Sequence, residues 1–199
     1  LTLIVLVLSG ARIAVFNSNY FIYLLWNIFL AFLPFIVSSL LFYRFTLRKL
    51  TTLMLGVGGV FWILFLPNAP YIVTDLIHIG RGHGAPVLYD TFLLFSSAWL
   101  GLVLFFRSLD QIKSILYQTY AKNSIRIVVL IVMLLTSVGI YIGRYLRFNS
   151  WDVFTEVSVV GNTWQNITHP VHFIEACLFI VPCFFFVYMS YEAWGAMKR

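Results

Sequence analysis

All four histidines of the chain, His78, His83, His169 and His172, and five of its seven carboxylates, Asp75, Asp90, Asp152, Glu156 and Glu175, fall in just two of the segments that separate long apolar runs. Imidazole and carboxylate are the side chains of general acid–base catalysis and of zinc or manganese ligation. The first segment reads Leu66-Pro67-Asn68-Ala69-Pro70-Tyr71, followed by Asp75 and His78. On a helix, Tyr71, Asp75 and His78 follow at steps of four and three and share one face. An aspartate and a histidine so spaced serve as an acid–base or ligand pair, or simply as a hydrogen-bonded pair near a membrane interface. In the second segment His169 and His172 stand three apart, compatible with a shared metal although a step of four is the commoner helical pair. Asp75, His78, His169 and His172 together form a nitrogen and oxygen ligand set of the kind a divalent metal such as zinc accepts. Asp75, His78, Asp90 and Asp152 are the candidate catalytic groups.

Arg144 and Arg147 lie one turn apart where the fifth apolar run ends. Two guanidinium groups at a membrane surface make a fork for a carboxylate or phosphate. They are equally suited to pair with Asp75 or Asp90 across helices, or to cap a helix C-terminus, where cations are favoured. Asn68 and Tyr71 on the first segment and Asn149 and Trp151 on the second complete the candidate binding set.

The elements that position these residues are set by composition. Hydrophobic residues make up 61% of the chain and charged residues 10%, and the mean hydropathy is +0.93. Ordinary soluble domains carry roughly 25% charge. Runs of about 20 apolar residues match the ~30 Å hydrocarbon slab of a bilayer, and the sequence predicts about six: 1–16, 20–43, 51–66, 88–106, 124–146 and 173–194. The expected architecture is an all-α polytopic transmembrane bundle, one integral membrane domain over 1–199. Pro67 and Pro70 cannot both sit inside one helix, so the third span should break there, with Asn68 as the N-cap of the restart. Between the fourth and fifth spans, Leu109, Ile112, Leu116 and Tyr120 recur at helical steps, as in a surface-lying amphipathic helix or an extension of the neighbouring spans. Close helix packing is the role expected of Gly56, Gly58 and Gly59.

Charge sets the topology. Arg44, Arg48 and Lys49 give one loop a net +3, and Arg107, Lys113, Lys122 and Arg126 against Asp110 give another +3. The alternate segments carry Arg81, Arg144 and Arg147 against the five carboxylates, a net −2. The positive-inside rule then puts both termini in the cytoplasm and the histidines outside. No basic motif points to nucleic acid. Cys177 and Cys183, six apart in the last span, are about 9 Å apart along a helix, too far for a disulfide. The opening at Leu1, with no initiator methionine or basic leader, implies a start inside a longer protein.

The strings from Leu66 to His78 and from Gly143 to Asp152 resemble the signature of a bacterial multi-pass membrane family catalogued only as a domain of unknown function. The resemblance implies a bacterial inner-membrane protein and no activity. Three readings follow from the residues: a metal-dependent enzyme acting at the outer leaflet on a lipid or lipid-linked anionic substrate, a carrier or sensor of a small ligand, or a structural or assembly protein whose polar groups lock helix ends together.

Overall fold

The computed structural model describes residues 1–16, 19–81, 84–118, 120–145 and 170–197. Their regular structure is all helical, in the order α1 (Thr2–Phe16), α2 (Ile22–Thr46), α3 (Thr52–Phe65), α4 (Asn68–Tyr71), a 3-10 helix (Ile72–His78), α5 (Val87–Leu116), α6 (Lys122–Tyr145) and α7 (Pro170–Ala196), with no strand among the described residues. Five helical stretches are long and apolar enough to cross a bilayer: α2, α3 continued through the 3-10 helix, α5, α6 and α7. At 15 residues α1 is shorter, about 22 Å at the helical rise. The chain divides into two compact units, Leu1–Ile115 and Leu116–Arg199.

In the N-terminal unit, α2 is the platform on which α1, α3, α4 and the 3-10 helix pack. Its buried residues Leu24, Ile28, Ala31, Pro34, Ser38 and Leu41 recur every three or four positions and form one stripe. Trp26, Phe29, Ile36, Leu40 and Tyr43 are exposed on its other faces. An apolar exterior of this extent suits hydrocarbon, whereas in water it would drive aggregation. Helix α2 ends in a Schellman motif: Lys49 N–H donates to the Arg44 carbonyl and Arg48 N–H to that of Phe45, both at 2.9 Å. Arg48 takes the left-handed conformation, φ 56°, in the position glycine normally fills.

Helix α5 is the most buried of the spanning helices, and polar side chains tie it to two others. The Trp62 indole N–H donates to Ser108 at 2.6 Å, and Ser108 donates to the Pro34 carbonyl at 3.1 Å. Further along, Ser38 donates to Gln111 Oε1 at 2.6 Å and Gln111 donates to Ser39 at 3.1 Å. Satisfying these groups inside the unit is obligatory where no water competes. The helix runs unbroken to Leu116 with Leu109, Ile112 and Ile115 buried. Of the two readings of this stretch, residues 107–116 take the second, an extension of the span, because the buried face of α5 continues straight through them.

The glycines depart from expectation. Gly56 and Gly59 face open space, and only Gly58 meets a neighbour, the Leu41 side chain. The close approach is at Gly101 of α5, where a Cβ would lie 2.3 Å from the Ala69 carbonyl oxygen. In the C-terminal unit α6 packs on α7, and Phe179 sits against Tyr141 and Tyr145 at 6.0 and 5.0 Å between ring centres. Cys177 and Cys183 are both free thiols.

Candidate functional site

The third span does change at its prolines, though by a change of winding. Pro70 has no N–H for the Leu66 carbonyl, and Ala69 N–H donates to that carbonyl instead, at 3.2 Å. The Phe65 carbonyl, deprived of Ala69, accepts from the Asn68 side-chain amide at 2.9 Å. Asn68 thus caps the end of α3 rather than opening the next helix, and Pro67 holds the N-cap position without a side-chain bond. Leu66 and Pro67 keep right-handed helical dihedrals, so the chain continues in the same direction through four α residues and seven of 3-10 helix. Seven is long for a 3-10 run, which seldom exceeds three or four.

The winding decides which residues line up. A 3-10 helix has three residues per turn, so Ile72, Asp75 and His78 eclipse one another while Tyr71 falls about 120° away. Burial agrees: Ile72 and Asp75 are each 1% exposed and His78 is half-buried with Nδ1 enclosed. The expectation that Tyr71 shares the face of Asp75 and His78 is corrected, because it assumed α-helical steps of four. The helix ends as Gly80 turns to φ +77°, a conformation open to glycine at little cost.

Helix α2 supplies the other wall. Its Asn27 amide donates to Asp75 Oδ2 at 3.0 Å, and the Tyr23 ring meets His78 edge-on at 5.9 Å. Phe21 continues the contact, 6.0 Å from Tyr23, with its ring 4.6 Å below the guanidinium of Arg12. Arg12 Nε donates to Asp90 Oδ1 at 2.7 Å and Nη2 to Oδ2 at 3.1 Å. Both residues are 1% exposed. Tyr89, beside Asp90, donates its hydroxyl to the Leu8 carbonyl, which fastens α1 to α5 a second time. One end of the unit therefore gathers Asp75, His78 and Asp90 through a train of contacts from α1, α2, the 3-10 helix and α5.

Arg12 is the residue that sequence reasoning missed as a site member. The signal was present, an arginine inside an apolar run, with the candidate catalytic group Asp90 in the first turn of α5. Asp90 pairs with this arginine. Of the other candidates, Arg144 stands in the last turn of α6, in the C-terminal unit. His83, Arg147, Asn149, Trp151, Asp152, His169 and the His172 side chain lie outside the described residues. Among the described residues no group of three or more His, Cys, Asp or Glu is placed to hold a metal ion.

No curated protein and no solved structure matches the chain. A family match covers residues 26–190, which takes in both of the motif strings and parts of both compact units and leaves α1 outside it. On that match the chain belongs to the family described as protein of unknown function (DUF1361).

Proposed function

We propose that this chain is a multi-pass protein of the bacterial cytoplasmic membrane that binds a small polar ligand at the extracytoplasmic end of its N-terminal unit, with Asp75 accepting a hydrogen bond from the ligand and His78 exchanging a proton with it. The observation that carries this reading is the burial of Asp75, 1% exposed, one 3-10 turn from His78. Ionisable groups are expensive inside a membrane, and where they occur they mark ligand, ion or proton sites by default. A carboxylate fits a hydroxyl, amine or ammonium group. The buried guanidinium at this end, Arg12, is already neutralised by Asp90, and the carrier or sensor reading rests on the buried carboxylate rather than on a cation.

Native mass spectrometry of the detergent-purified protein tests this, with Asp75→Asn and His78→Gln as variants and metal content measured in parallel. A small molecule retained by the wild type and lost from both variants, at unchanged helix content, supports the site. A wild type that carries nothing, or variants that lose their fold, leaves the structural reading ahead. That second reading has its own observation, the fully buried Arg12–Asp90 pair that joins α1 to α5.

A further inference from the structure

The turn between α2 and α3 gathers Arg44, Arg48 and Lys49 within six residues that include no carboxylate. All three are exposed, and none forms an ion pair with any described residue. Of the carboxylates in the N-terminal unit, Asp75 is held by Asn27 and Asp90 by Arg12, and Asp110 has Arg107 and Lys113 one turn to either side on α5. The two Schellman hydrogen bonds tie the backbone of Arg44 to that of Lys49 and the backbone of Phe45 to that of Arg48. The three cations are thus confined to one tight turn, and the backbone cannot extend to relieve their repulsion. What the turn lacks is an anion.

Membrane orientation asks only for a count of charges in the loop and not for where in it they stand. Arg48 occupies the left-handed position, φ 56°, that glycine takes without strain. A side chain kept there at a conformational cost points to a use for the residue itself. Tyr43, 59% exposed, stands one residue before Arg44, and a tyrosine at the end of a spanning helix lies at head-group depth. The cations are therefore level with lipid phosphates. We propose that the α2–α3 turn binds the phosphate of an anionic glycerophospholipid, with Arg44, Arg48 and Lys49 donating charge-assisted hydrogen bonds to it. A zwitterionic lipid brings the same phosphate already balanced by its own ammonium, so an excess of three cations selects a head group that has none. The site rests on the membrane reading of the chain and is independent of ligand binding at Asp75 and His78.

The test places the protein in nanodiscs of equal parts phosphatidylglycerol and phosphatidylcholine with the same acyl chains, and native mass spectrometry reads which lipid is retained on release. The wild type should prefer phosphatidylglycerol by at least about tenfold, each cation contributing about fivefold. Arg48→Gly removes one cation and relieves the left-handed backbone at once, so it should lower the preference about fivefold while the melting temperature holds or rises. Arg81→Gln removes one exposed charge beyond the 3-10 helix and should leave the preference unchanged. No preference in the wild type overturns the proposal, and so does an equal fall in Arg81→Gln, which would trace the effect to net charge. A preference undiminished in Arg48→Gly, or in Lys49→Gln should the glycine variant fail to fold, overturns it as well. Excess inorganic phosphate at constant ionic strength should leave the lipid in place; displacement would assign the turn to soluble phosphate and overturn the lipid.

Discussion

Arg12 and Asp90 are 78 positions apart in sequence and meet with two hydrogen bonds in a setting almost sealed from solvent. Such a pair is asymmetric in energy. Its formation gains little over apolar residues of similar volume, but removal of one partner strands a buried charge, at a cost of about 3–5 kcal/mol. Asp90→Asn should therefore lower the stability of the detergent-solubilised protein by roughly that amount, and Arg12→Met combined with Asp90→Leu should restore most of it. Denaturant titration of the three variants measures both effects. A double variant as unstable as Asp90→Asn would mean that the pair specifies a structure apolar packing cannot replace. The aspartate and the arginine inside an apolar run were each readable in sequence and their pairing was not, because no local spacing connects residues so far apart. Asp75 and His78 were readable for the opposite reason. A step of three lies on one face in either winding, so their alignment survives the change from α to 3-10 that removes Tyr71 from it.

At the scale of elements, two prolines were enough to locate the change in the third span, but not to show that it keeps its direction. Prolines delete donors, and what becomes of the orphaned carbonyls depends on neighbours. Here Asn68 and a shift to shorter hydrogen-bonded turns satisfy them. The second neighbour is Gly101, which lets α5 come against the Ala69 carbonyl. Gly101 lies in an apolar run with nothing to single it out, whereas the glycine-rich stretch 56–59 advertises packing it largely does not provide. The two sites make a matched experiment. Gly101→Ala adds a methyl 2.3 Å from a backbone oxygen that cannot swing aside, so α5 and α4 must separate, at about 1–3 kcal/mol. Gly59→Ala meets nothing within 4 Å and should stabilise α3 by about 0.5–1 kcal/mol through helix propensity. Thermal unfolding of the two variants should thus move in opposite directions. The displacement at Gly101 should also carry Asp75 away from Asn27, so Gly101→Ala is expected to weaken ligand retention at Asp75 while Gly59→Ala leaves it intact.

For the whole molecule, the question is which face of the membrane each end occupies. Helices α2 and α5 both run from the end that carries Asp75, His78 and Asp90 towards the end that carries Arg44, Arg48 and Lys49, since Asn27 meets Asp75 near the start of α2 and Gln111 meets Ser38 and Ser39 further along both helices. The polar site and the basic loop are thereby at opposite ends of the N-terminal unit. Lysine and arginine are retained on the cytoplasmic side during insertion, so the expected outcome is the basic end inside and the Asp75 end outside. The length of α1 does not enter this argument, because the orientation of α2, α3 and α5 follows from their own loops. With Cys177 and Cys183 first replaced by alanine, Lys49→Cys should react with a membrane-impermeant maleimide only in inverted vesicles, and Ala85→Cys only in intact spheroplasts. If the two labelling patterns came out reversed, the site would face the cytoplasm, and any ligand of Asp75 and His78 would have to be sought among cytoplasmic solutes and inner-leaflet lipids. Agreement with the expected pattern restricts it to molecules present outside the cytoplasmic membrane, the compartment in which a proton-exchanging histidine meets the external pH directly.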